Sequence, residues 1–124
     1  MKEGELGKIY SDGDIIFREG DIGEVMYVIQ SGNVKVTKKT DSGEVLLATL
    51  ENGEVFGEMA LFDRQPRSAT VVASGDARIL SVDKKKLFSM ISRDPTLVFK
   101  MLESMSQRLR RVDSELSRLM GEKG

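Results

Sequence analysis

Six short triplets constrain this chain more than any other feature. Each sets glycine after a small, charged or amide residue and before Asp, Asn or Glu. They are Asp12-Gly13-Asp14, Glu19-Gly20-Asp21, Ser31-Gly32-Asn33, Ser42-Gly43-Glu44, Asn52-Gly53-Glu54 and Ser74-Gly75-Asp76. Each reads as a turn, because glycine accepts positive φ and its polar neighbours satisfy the local backbone. From Gly20 to Gly53 the glycines fall every ten to twelve residues. That is the interval of short strands in a sandwich or barrel. The intervening segments have strand composition. Met26-Tyr27-Val28-Ile29 is continuously apolar and is expected to be buried on both faces, whereas Asn33 to Lys38 alternates as a half-exposed strand does. Val45 to Leu50, Thr70 to Ala73 and Ala77 to Val82 complete the predicted strands.

The series skips a beat between Gly53 and Gly75, a gap of 22 residues. The place of the missing turn is taken by Phe56-Gly57-Glu58-Met59-Ala60-Leu61-Phe62-Asp63-Arg64-Gln65-Pro66-Arg67-Ser68-Ala69-Thr70. Gly57 lacks a Cβ and lets the backbone approach an anion closely. Glu58 to Leu61 are good helix formers, so a single helical turn is predicted to start at Gly57, with free N–H groups and a dipole that favours negative charge. Ala60 is small enough to leave those groups open. Arg67 offers a planar fork of donors that matches phosphate oxygens. Glu58 repels a phosphate but accepts hydrogen bonds from a sugar hydroxyl. Pro66 fixes φ just before Arg67 and stiffens the loop. The stretch therefore suits a small ligand carrying both a phosphate and a ribose. Asp63-Arg64-Gln65 reads as solvated.

The run Phe-Gly-Glu-Met-Ala-Leu followed by Pro-Arg-Ser-Ala-Thr resembles the phosphate-binding cassette of cyclic nucleotide-binding domains. That family includes the bacterial catabolite activator protein and the regulatory subunits of cyclic-AMP-dependent kinase. The likeness runs from about Ile9 to about Leu119. It implies a mainly β fold with α, a double-stranded β-helix or jelly roll of about eight strands, with a short cassette helix and C-terminal helices. It implies that Gly57 to Ala60 (Glu58 and Met59 included) and Arg67, Ser68 and Ala69 form the ligand cassette. Glu58 would take the ribose 2′-hydroxyl and Arg67 the cyclic phosphate, with backbone N–H groups of Gly57, Ala60 and Ser68 completing the cradle. Val36 and Leu47 would line the base pocket; they also fit as ordinary core residues. Ser68 does not decide between cyclic AMP and cyclic GMP, although the cassette and the last helix resemble the bacterial cyclic-AMP receptors more closely. No cofactor is implied.

After Val82 the pattern turns helical. Asp83 is expected to cap a helix through Ser92 with Leu87, Phe88 and Ile91 inward. Asp94-Pro95 reads as an N-cap with proline at the first helical position. The chain divides into a β-roll with its first helix, 1–94, and a long helix, 95–124. On that helix Val98, Leu102, Met105, Leu109, Val112, Leu116 and Leu119 alternate spacings of four and three, the stripe of a two-stranded coiled coil. A homodimer is the expectation, with Arg108 and Asp113 meeting across a parallel seam. Bacterial relatives reach the base from this helix. The matching positions here are Val112, which cannot hydrogen-bond, and Asp113, which can accept from an adenine amino group.

Composition removes other classes. Histidine and cysteine are absent, which excludes thiol chemistry, imidazole metal sites and His-based triads. That disfavours a metal-dependent β-roll enzyme and points to a non-catalytic module. A net charge of −1 does not suggest a nucleic-acid surface. No membrane span or signal-peptide core is read, and a cytoplasmic site is expected. Catabolite-activator relatives carry a DNA-binding domain after the long helix, for which residues up to Gly124 leave no room. The expectation is a stand-alone sensor or a fragment of a longer regulator. The competing reading, a dimeric scaffold that has lost its ligand, sits poorly with an intact Glu58 and Arg67.

Overall fold

A computed structural model describes residues 6–120. The order of elements is β1 (Lys8–Tyr10), β2 (Ile15–Phe17), β3 (Met26–Thr40), β4 (Gly43–Glu51), β5 (Val55–Phe56), a 3-10 turn (Glu58–Leu61), β6 (Thr70–Val82), α1 (Lys84–Arg93) and α2 (Thr96–Leu119). All strand pairs are antiparallel, in the order β1-β6-β3-β4, with β2 also on β6 and β5 on β3.

Two long strands organise the roll. The first part of β3 pairs with the last part of β6 (Met26 with Val82, Ile29 with Ile79) and with β5 (Tyr27 with Phe56). Its second part pairs with β4 (Val34 with Leu50) and with the first part of β6 (Val34 with Ala73, Thr37 with Thr70). Each strand thus serves two halves of the roll. The changeover lies where Ser31 faces Arg78 and Asn33 faces Ser74, with one residue of β3 between the two pairs against three of β6. Gly32 (φ 89°) and Gly75 (φ 76°) sit there. This corrects the sequence reading at two triplets. Ser31-Gly32-Asn33 and Ser74-Gly75-Asp76 are bulges within continuous strands, because long-range pairing carries the ladder through them. The described residues hold six continuous strands; dividing β3 and β6 at their glycines restores the eightfold character of the roll.

Alternation buries Ile29, Val34, Leu50, Phe56, Val71, Ala73, Ala77 and Ile79 as one core. Met26 and Ile29 are fully buried, but Tyr27 and Val28 are only half-buried. Two compact units result, one through Phe88 and one from Ser89. Asp83 caps α1 as expected, its Oδ1 accepting from Lys86 N–H at 2.7 Å. Phe88, expected inward, is 68% exposed, while Leu87 is buried. The reason is helical geometry: Leu87 and Ile91 share a face, and Phe88 is turned about 100° from Leu87. Asp94 accepts from the Thr96 N–H at 3.2 Å and Pro95 enters the first turn, as the N-cap pattern predicts. The hydroxyl and then the N–H of Thr96 hold the Asp94 carboxyl below its usual range. Among the described residues no helix is long and apolar enough to cross a membrane.

Candidate functional site

The replaced corner lies between β5 and β6. Gly57 occupies the N-cap of the 3-10 turn in the left-handed region, φ 74° and ψ 15°. Any other residue there would carry strain, and a Cβ would lie 2.9 Å from Arg67 Nη1. The turn that follows buries Glu58, Ala60 and Leu61 and leaves Met59 exposed. The Ala60 N–H closes the turn on the Gly57 carbonyl at 3.3 Å.

Arg67 approaches the same carbonyl from the far end of the loop. Its guanidinium is buried; Nη1 donates to Gly57 O at 3.1 Å and Nη2 to Val25 O at 2.9 Å. The cation lies 4.1 Å from the Phe17 ring centroid and 5.8 Å from that of Tyr27. Phe17, Tyr27 and Phe56 pack together, with Tyr27 stacked on its cross-strand neighbour Phe56 at 5.2 Å. Aromatic faces and two carbonyls therefore orient the positive group. Its Nε is buried and has no hydrogen-bond acceptor among the described residues. A buried donor of this kind is costly unless an acceptor reaches it.

The other expected site residues are spread more widely. Ser68 is exposed and Ala69 buried. Val36 is half-buried against the core. Leu47 is 53% exposed. It lies where the β3–β4 register shifts past Val36, so it is not a core residue. Asp113 is exposed on α2, in the second unit; the side chain of Val112 lies outside the described residues.

Residues 8–94 match the family described as "Cyclic nucleotide-binding domain". The chain belongs to the cyclic nucleotide-binding domain family. It is 36% identical over 113 residues to the cyclic AMP receptor protein of Thermus thermophilus, which covers 90% of this chain and 52% of the receptor. It thus spans about half the length of that relative. A crystal structure of Thermus thermophilus catabolite activator protein superposes with a TM-score of 0.77 at 36% identity, over 91% of this chain and 54% of that one. EAL enzyme Bd1971 in its cAMP-bound form gives a TM-score of 0.62 at 35% identity, over 91% of this chain and 30% of the enzyme. Its cGMP-bound form gives 0.62 at 37%, over 91% and 31%.

The housing of Arg67 within this cyclic nucleotide-binding domain was not evident from the cassette. Phe17, Gly23, Val25 and Tyr27 come from strands and loops forty or more residues earlier. Gly23 carried the one available signal. Flanked by Ile22 and Glu24, it does not fit the turn triplets, and so asks for another explanation. A Cβ there would lie 2.4 Å from Arg67 Nη2. Gly23→Ala is therefore expected to displace the guanidinium and weaken cyclic nucleotide binding by about tenfold or more, the worth of one charge-assisted hydrogen bond. Titration of the variant, with circular dichroism to confirm an intact roll, checks this.

Proposed function

We propose that this domain is a non-catalytic, cytoplasmic sensor of cyclic AMP that pairs through α2. The buried Arg67 guanidinium, aligned by Gly57 and Val25 carbonyls and with Nε unmatched, carries the reading. In it Arg67 takes the cyclic phosphate and Glu58 the ribose 2′-hydroxyl. N–H groups of Gly57 and Ser68 face the phosphate, and the Ala60 N–H, held at 3.3 Å by Gly57 O in this structure, is shared with it on binding, with Met59 and Ala69 completing the cassette. Val36 and Leu47 line the base. The name of the Thermus receptor supports cyclic AMP. The two bound forms of Bd1971 keep cyclic GMP as a second ligand to test. The lack of histidine and cysteine supports binding without chemistry.

Pairing has its own support. Leu102, Leu109 and Leu119 of the heptad stripe are 59%, 70% and 71% exposed. Val98 and Met105 are half-buried; the side chains of Val112 and Leu116 lie outside the described residues. An apolar stripe of this length is buried by a second copy at modest cost. Ligand would then shift helix packing through its differing affinity for two arrangements. A half-length match to the Thermus receptor also favours a second reading, the sensing part of a longer regulator.

Calorimetric titration of ligand-free protein with cyclic AMP, cyclic GMP and linear AMP tests the binding. One site per chain with a cyclic nucleotide is expected; no heat with either cyclic ligand sinks the reading. Sedimentation is expected to show a dimer at micromolar concentration, and a monomer with and without ligand would overturn the pairing.

A further inference from the structure

The segment from Arg67 to Thr70 is held from behind at four points. Arg67 N–H donates to Asp21 O at 2.8 Å, and Arg67 O accepts from Gly20 N–H at 2.8 Å. Thr70 Oγ1 accepts from Glu19 N–H at 2.9 Å. The fourth contact is made by a charged side chain: Lys38 Nζ donates to Ser68 O at 2.8 Å. Lys38 in turn pairs with Glu19 Oε2 at 3.1 Å, and Glu19 Oε1 accepts from Lys39 N–H at 3.2 Å. Carboxylate and ammonium thus join the β3 strand to the loop before it, with the Ser68 carbonyl between them. The Lys39 N–H and then Lys38 hold the Glu19 carboxyl below its usual range, so the brace stays charged at neutral pH.

The geometry has a directional consequence. No peptide bond among the described residues is cis. In a trans peptide the carbonyl and the following N–H point to opposite sides. Fixing Arg67 O therefore aims the Ser68 N–H, and fixing Ser68 O aims the Ala69 N–H. Lys38 lies on the carbonyl side of the Ser68–Ala69 peptide, opposite the Ala69 N–H. We propose that Lys38, braced by Glu19, is a positioning residue that aims the Ser68–Ala69 peptide at the ligand phosphate without touching it. This rests on the assignment of Arg67 and Ser68 to phosphate and adds the Ala69 N–H to the same cradle.

The alternative, a direct attraction of Lys38 for the phosphate, makes the opposite prediction for Glu19. If Lys38 acted by charge alone, Glu19→Gln would remove a competing anion and tighten binding. If it acts through the braced carbonyl, both variants weaken binding, Lys38→Met by up to about tenfold and Glu19→Gln by about two- to fivefold, since the ion pair is partly exposed. Lys38→Arg keeps a cationic donor and is expected to restore most of the affinity. A ligand-independent readout accompanies the titrations with cyclic AMP. The Ala69 amide resonance of ligand-free protein should move in Lys38→Met and Glu19→Gln and return towards its wild-type position in Lys38→Arg. Tighter binding by Glu19→Gln, or unchanged affinity in Lys38→Met with a wild type that binds, overturns the positioning role and leaves the sensor reading standing. A wild type that binds no cyclic nucleotide overturns both. A still Ala69 resonance overturns the positioning role whatever the affinities.

Discussion

Arg67→Ala is expected to weaken cyclic AMP binding by at least about a hundredfold while changing the melting temperature of the ligand-free protein little. The two halves of this expectation have different causes. Truncating one partner of a buried, hydrogen-bonded charge pair costs about 2–5 kcal/mol, most of it from leaving the other charge unmatched. On the proposed assignment of Arg67, that other charge is the cyclic phosphate. In the free protein the guanidinium brings two carbonyl bonds and an aromatic contact. Against them stands the cost of taking a cation out of water, and such terms nearly cancel. Arg67→Lys separates charge from shape, because an ammonium cannot span the Gly57 and Val25 carbonyls while presenting a planar edge. It should fall between wild type and alanine. Titration and thermal melts on the three proteins settle the matter. Binding by Arg67→Ala within a few-fold of wild type would place the phosphate elsewhere.

Gly32→Ala is expected to destabilise the roll by about 3 kcal/mol or more, combining left-handed strain with forced backbone movement. Gly32 has φ 89°, and a Cβ there would lie 2.4 Å from Asp76 O and 2.8 Å from Ala77 Cα. Neither is a flexible chain end, so β3 and β6 would have to part at their shared bulge. Gly43 is the control. It too has positive φ, but a Cβ at that position meets nothing within 4 Å. Gly43→Ala should cost only the local strain, about 1–2 kcal/mol. Denaturant or thermal unfolding measures both, and equal losses would show that the bulge tolerates a side chain.

The two glycines also explain what could be read in advance. A turn and a bulge both ask for glycine at positive φ with a polar neighbour. Local chemistry therefore located Gly32 and Gly75 correctly and could not say that the chain runs straight on. That depends on β3 and β6 pairing across forty residues of sequence. The cassette was legible as a family mark because it is written in residue types: glycine at the cap of the turn, then a carboxylate and a guanidinium at fixed spacing. The supports were not. Phe17, Gly23, Val25, Tyr27 and the Glu19–Lys38 brace reach Arg67 and Ser68 through tertiary structure, and nothing in their own segments names a ligand. Phe88 was misplaced for a simpler reason. Adjacent apolar residues point about 100° apart on a helix, and here only the face with Leu87 meets the core.

The position of β4 at the end of the strand order has a consequence for handling the protein. Among the described residues it pairs only with β3, and Val45, Leu46 and Leu47 on it are exposed. From Val45 to Leu50 it carries no charge, glycine or proline. An open edge of that composition is a template for cross-β growth between molecules. Glu44 and Glu51 bracket it and act as gatekeepers through repulsion. Colloidal stability of this domain thus leans on two surface carboxylates, and replacing both with glutamine is expected to favour association along the β4 edge.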